Sequence, residues 1–178
     1  MDAIGARLAE LTKAEWGMVS SGCAAGLTHA TAACVAGGNP DLHVRIPNLE
    51  GFPKDEVIIP RHSRNVYDAA VRAVGVKIIE AETAEELEAA FGPRTAMIYI
   101  LASPQADEGP LSTKAIAQIA RQKGVPILVD AAAEVLTVPN VHLENGATLV
   151  TYSGGKCIRG PQTGGLLLGR KDLVQAAW

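Results

Sequence analysis

Short apolar runs alternate with amphipathic stretches along most of the chain, which predicts strands and helices in turn. Ile4, Leu8 and Leu11 share one face of an opening helix. Trp16-Gly17-Met18-Val19 is a short extended run, broken at Ser20-Ser21-Gly22. Residues 23–35 form an Ala-rich helix stopped by Gly37-Gly38, and its small side chains predict close packing against a sheet or another helix. Residues 39–55 carry three prolines and no clear period, so they are expected to form a long irregular loop. Its Ile46, Leu49 and Phe52 have no obvious local core, and the expectation is that they pack on a partner subunit or on segments outside the chain. Strands are predicted at 57–59, 76–79, 95–101, 127–130, 148–152 and 165–168, and a helix at 66–74. Thr83-Ala84-Glu85-Glu86 is a capping box that opens a helix through Phe91. Ser112 caps a helix running to Lys123, and a last helix starts at Asp172.

Strands alternating with helices over short connections imply an α/β fold with a mainly parallel sheet. The 178 residues fit one domain. In such sheets, ligands sit beyond the carboxyl ends of the strands. Those positions hold Ser21-Gly22, Arg61-His62, Ser103-Pro104, Asp130 and Ser153-Gly154-Gly155-Lys156.

Composition narrows the function classes. With 48% apolar and 20% charged residues, the chain is no disordered tail. A net charge of −3 and 4% aromatics argue against nucleic acid as a partner, for want of a basic stripe and of stacking surfaces. Cys23, Cys34 and Cys157 form no Cys-x-x-Cys pair, which disfavours a disulfide framework or zinc ribbon and favours the cytoplasm. The N-terminus has no signal-peptide pattern, and no apolar stretch is long enough for a membrane span. His29, His43, His62 and His142 show no ligand spacing, so no metal is expected. Gly-x-Gly-x-x-Gly is absent, so a dinucleotide fold has no fingerprint.

Three features carry chemistry. Asp130 closes the apolar run Pro-Ile-Leu-Val, and a carboxylate buried there needs a cationic or hydrogen-bonding partner, unless it simply caps a following helix. Lys156 follows two glycines, and a lysine at a crowded, desolvated turn becomes a nucleophile; the plain alternative is a surface lysine. Ser20 to Ala25 runs from a strand through a glycine turn into a helix, where free N–H groups favour a phosphate, or where an ordinary cap sits. Cys23 at that helix start is also a candidate low-pKa thiol. Ser153-x-x-Lys156 matches the Ser-x-x-Lys of penicillin-recognising enzymes, but two glycines make a poor helical turn. Lysine, carboxylate and anion pocket together suit pyridoxal 5'-phosphate, which needs one partner each for its aldehyde, ring nitrogen and phosphate.

Ser-Ser-Gly-Cys-Ala-Ala (20–25), Val-Asp-Ala-Ala (129–132) and Ser-Gly-Gly-Lys-Cys-Ile-Arg-Gly-Pro-Gln-Thr-Gly (153–164) resemble fold-type I pyridoxal-phosphate enzymes. Within these, the chain is similar to the group of L-seryl-tRNA(Sec) selenium transferase and D-glucosaminate-6-phosphate ammonia-lyase. The last stretch is the most specific. The resemblance implies a three-layer α/β/α sandwich, the aspartate aminotransferase-like large domain, over residues 1–178. It implies that Lys156 carries the internal aldimine (a Schiff base), that Asp130 pairs with the pyridine nitrogen and that Ala132 lies against the ring. Ser21, Gly22, Cys23 and Ser153 would hold the phosphate, and His62 would stack on the ring. The implied activity is a lyase or β-replacement on an amino acid or amino-sugar acid. The alternatives are an aminotransferase, or a non-catalytic cofactor-binding or interaction fragment. Family members are longer and oligomeric, so the expectation is a fragment, inactive alone, without the C-terminal small domain or a tRNA-binding domain.

Overall fold

The computed structural model describes residues 2–178. Seven strands make one sheet: β1 (Trp16–Ser20), β2 (Glu56–Pro60), β3 (Lys77–Ala81), β4 (Thr95–Leu101), β5 (Ile127–Asp130), β6 (Leu149–Ser153) and β7 (Gly165–Gly169). Their order is β1-β7-β6-β5-β4-β2-β3. The pairs from β6 to β3 are all parallel, and only β7 runs against both its neighbours. The expected mainly parallel mixed sheet is therefore present.

Alternation along the strands sorts their side chains onto two faces. Val57, Ile59, Met97, Tyr99, Leu128 and Leu167 face α2 (Cys23–Ala36) and α9 (Lys171–Ala176). Ile58, Ile98, Ile100, Ile127, Val129 and Leu168 face α5 (Ala84–Ala90) and α7 (Thr113–Lys123). The opening helix α1 (Asp2–Thr12) adds Leu8 to this second face. Helices on both faces of a sheet make the three layers. β4 is buried along its whole length up to Leu101, as a central parallel strand must be. No helix among the described residues is long and apolar enough to cross a membrane.

Several segments depart from expectation. The stretch 39–55 is not coreless: Leu49 and Phe52 are buried in the chain's own α2-side core, with Ile46 packed against it. A one-turn helix, α3 (Pro40–His43), starts it, capped by Asn39, and the Arg45 guanidinium lies 4.9 Å from the Phe52 ring centroid. These residues do not wait for a partner subunit. The predicted helix 66–74 is split into a 3-10 turn, Val66–Asp68, and α4 (Ala69–Arg72). The split turns Asp68 inward while Val66 and Tyr67 stay exposed. Short helices α6 (Pro104–Asp107) and α8 (Val141–Glu144) were not anticipated, being one turn each.

Asp68 is 1% exposed and accepts from Arg72 Nε at 2.8 Å and Arg64 Nε at 2.6 Å. Burial alone would raise its carboxyl, but the two guanidiniums outweigh burial and hold it below the usual carboxylate range. A depressed folded value stabilises the fold above the unfolded value and loses that contribution as pH falls through the folded one. Asp68→Asn should cost about 2–3 kcal/mol at pH 7, discounted from a fully buried pair because both arginines reach solvent. Urea melts should show the gap between variant and parent closing as pH drops below about 4.

Candidate active site

β5 ends at Asp130, whose side chain is buried although no basic group pairs with it among the described residues. Donors take the place of a cation. The Tyr99 hydroxyl of neighbouring β4 donates to Oδ2 at 3.0 Å. Cys23 Sγ at 3.4 Å and the Ala132 N–H at 3.1 Å donate to Oδ1. No helix follows, so the carboxylate is not a helix cap; the Ala132 bond closes a turn two residues on.

β1 delivers the start of α2. Gly22 at the N-cap has φ +99° and offers no side chain to the first-turn amides. These N–H groups, with the helix dipole behind them, form an anion-binding end. Small residues let that end sit down on the sheet. A Cβ on Gly26 would collide with Thr151 Oγ1, and one on Gly165 of β7 would lie 2.5 Å from the Gly22 carbonyl carbon.

β6 ends at Ser153, which closes a strand and opens no helix, so the Ser-x-x-Lys geometry of penicillin-recognising enzymes is absent. The loop after it is drawn together by Gly154 N–H to Gly164 O (2.7 Å) and Gly160 N–H to Gly154 O (2.7 Å). Gly155 lies against the Gln162 side chain with no room for a Cβ. Lys156 leaves this loop exposed, its ammonium 5.8 Å from the Tyr67 ring centroid. The turn is tight in its backbone, but the lysine is not desolvated as expected.

These ends enclose a cavity of about 220 Å³. Gly22, Cys23, Asp130, Ala132, Ser153 and Lys156 all line it, as do Leu27, Tyr67 and Gln162. Ser21 is exposed and does not line it. His62 lies instead in a 3-10 turn, Arg61–Ser63, bordering a separate hollow with Arg61, Glu82 and Leu111. Burial lowers the His62 pKa, and its Nε2 has no partner. Tyr67 is the aromatic that the fold brings to the cavity. Gln162 lies within the 153–164 motif, which by itself gives it no role, and Tyr99 occupies what the sequence presents as one more apolar position of a buried strand.

Cys23 is no activated thiol: burial, then the charge of Asp130, pushes it up to about 12. Burial does the same to Cys34. Iodoacetamide at neutral pH should therefore label the exposed Cys157 and spare the other two, as peptide mass mapping would report.

A buried carboxylate, an uncapped helix start and a lysine loop are gathered at the carboxyl edge of this mixed sheet, and the sheet has the layering of the aspartate aminotransferase-like fold. The chain's homologues and structural neighbours are fold-type I pyridoxal-phosphate-dependent enzymes. No family model matches the chain. It is 34% identical over 185 residues to the 5'-C-glycyluridine monooxygenase-decarboxylase of a Streptomyces species, covering 98% of the chain and 46% of that protein. It is 29% identical over 181 residues to the D-glucosaminate-6-phosphate ammonia lyase of Salmonella typhimurium, covering 97% of the chain and 48% of the lyase. A solved structure of D-glucosaminate-6-phosphate ammonia-lyase matches 98% of the chain and 49% of its own, with 29% identity and a TM-score of 0.88. Thermus thermophilus aspartate aminotransferase shares the fold alone, at 18% identity and a TM-score of 0.66. The chain spans about half the length of the curated relatives named here.

Proposed function

We propose that residues 1–178 form the cofactor-binding large domain of a pyridoxal-phosphate-dependent lyase or β-replacement enzyme acting on an amino acid or amino-sugar acid. The observation that carries this is the meeting of Asp130, Lys156 and the α2 start in one cavity. The likeness to the ammonia lyase over nearly the whole chain supports it. The residues fit the cofactor. Asp130 has hydrogen-bond donors but no cation, leaving its charge for a protonated ring nitrogen. The Gly22–Cys23 end and Ser153 suit a phosphate. Ala132 is small enough for a ring to lie against it. Lys156 supplies the amine for the aldehyde. Bound there, the cofactor supplies an electron sink for a substrate carbanion. Asp130 would keep the ring nitrogen protonated, and Lys156 Nζ would hold or move a proton at the substrate α-carbon.

The intact protein is, in this reading, a cytoplasmic homo-oligomer with a small-molecule substrate and no nucleic-acid partner. A second reading is an oxygen-dependent decarboxylation, favoured by the 34% identity to the Streptomyces monooxygenase-decarboxylase. The test loads the intact protein with pyridoxal phosphate and offers a panel of amino acids and amino-sugar acids. Ammonia release from one substrate without oxygen uptake supports the lyase. Oxygen uptake with carbon dioxide release selects the second reading. Strict two-substrate turnover to a keto acid overturns both in favour of an aminotransferase, and no visible absorbance on adding cofactor overturns the cofactor assignment.

Asp130→Asn keeps the shape and removes the charge. Turnover of the intact enzyme should fall about 10²–10³-fold, as when a preorganised electrostatic partner is lost. The asparagine NH₂ would also face the Tyr99 donor or the Cys23 and Ala132 donors. A measured kcat close to the parent's would remove Asp130 from the mechanism.

A further inference from the structure

We infer that Tyr99 and Asn65 are positioning residues for Asp130, and that Asn65 ties the state of that carboxylate to the turn carrying Tyr67. This deepens the proposed function and rests on it. The Tyr99 side chain is fully buried, yet its hydroxyl meets two polar side chains: Asp130 Oδ2 at 3.0 Å and Asn65 Nδ2 at 2.9 Å. A hydroxyl has one proton to give, and Asn65 decides where it goes.

The orientation of the Asn65 amide follows from its other neighbours. Its Nδ2 also donates to Ser63 O at 2.9 Å, and its Oδ1 accepts the Tyr67 N–H at 2.8 Å. Flipping the amide would set oxygen against a carbonyl and NH₂ against an N–H. With the NH₂ fixed toward Tyr99, the hydroxyl must accept from Asn65 and donate to Asp130. The rotor is locked, so Asp130 meets a donor already aligned. Burial and then the Asp130 charge raise the Tyr99 pKa, which keeps its proton in place.

The same amide shapes the cavity mouth. The Tyr67 N–H it accepts belongs to the turn Val66–Asp68, and the Tyr67 ring lines the cavity beside Lys156. One side chain thus links the cavity floor to its rim. A hydrogen bond to a charged group contributes enough that its loss weakens binding by about 10-fold or more.

The test compares the parent chain with Tyr99→Phe, Asn65→Asp and the double variant. Both changes nearly preserve volume, and thermal melts confirm folding. Asn65→Asp is the informative one: its carboxylate still accepts the Tyr67 N–H but cannot donate to Tyr99. The first readout needs no cofactor. In the unliganded parent, proton NMR should show a slowly exchanging Tyr99 hydroxyl, identified by its absence in Tyr99→Phe, and Asn65→Asp should shift it, because the new carboxylate competes with Asp130 for the proton. The second is affinity for pyridoxal phosphate itself. Tyr99→Phe should weaken binding about 10-fold or more, Asn65→Asp similarly, and the two together no more than about 2-fold beyond Tyr99→Phe. A residue that only capped the turn would leave both readouts unchanged in Asn65→Asp. An unshifted hydroxyl signal in that variant, or losses that multiply, overturns the inference. If the parent does not bind pyridoxal phosphate, the proposed function fails, and the hydroxyl signal alone decides whether Asn65 locks Tyr99.

Discussion

Lys156→Ala is expected to abolish the visible absorbance of covalently held cofactor and to lower turnover of the intact enzyme by at least about 10⁴-fold, because in the proposed function one side chain would supply both the attachment amine and the base. The loss should be selective. Lys156 is exposed, its nearest aromatic partner is the exposed Tyr67 at 5.8 Å, and no carboxylate pairs with it among the described residues. Truncating such a side chain leaves stability within about 0.5 kcal/mol. The proposed phosphate and ring-nitrogen partners, Gly22, Ser153 and Asp130, stay in place, so the variant should still bind cofactor reversibly, detectable by equilibrium dialysis. Borohydride treatment followed by peptide mass mapping reads the attachment directly. It should tag Lys156 in the parent and no lysine in Lys156→Ala. A tag on another lysine, with activity retained, would move the attachment point.

How far the site could be read in advance depended on which physical signal each residue leaves. Asp130 and Lys156 stand out because an apolar run ends abruptly in a charge, or a charge follows two glycines at a strand end. Both marks are local. The strand predictions agree with the sheet to within a residue or two for the same reason: central strands must be apolar along their length. The partners of Asp130 leave no such mark. Tyr99 comes from the neighbouring strand, and the alignment of Leu101 with Asp130 that sets Tyr99 near the carboxylate is a product of tertiary pairing. Leu49 and Phe52 have irregular spacing, so nothing in the pattern shows that they fold back onto α2. The reversal of β7 was not read from the sequence, although the spacing before it carries the reason. The segment 154–164 contains no helix and falls short of the dozen or more residues that a parallel crossover takes, so the strand after it must turn back. His62 shows the opposite case, a chemically suggestive residue next to a strand end that the 3-10 turn carries to a different hollow.

That reversal gives Gly165→Ala its expected effect, a loss of about 1–3 kcal/mol in stability by overpacking, together with a larger loss in cofactor affinity. β7 is wedged between β1 and β6, with Gly165 paired to Ser20 on one side and Ser153 on the other. A Cβ there would lie 2.5 Å from the Gly22 carbonyl carbon, 2.7 Å from its oxygen and 2.8 Å from Ser20 Oγ. The first two are backbone atoms, so no rotamer change relieves the contact. Either β7 shifts and drags Ser153, or the β1–α2 turn lifts and takes the Gly22 and Cys23 amides with it. Both motions open the cavity at the α2 end, where the phosphate is proposed to bind. Gly38→Ala is the matched control, since a Cβ there meets nothing within 4 Å. It should leave stability within about 0.5 kcal/mol. Denaturant unfolding and cofactor titration on the two variants separate the effects. Parent-like stability and affinity in Gly165→Ala would mean that the close approach of β7 to Gly22 does not hold the α2 end of the cavity in shape. Parent-like affinity with reduced stability would place the strain elsewhere in the sheet, away from the cavity.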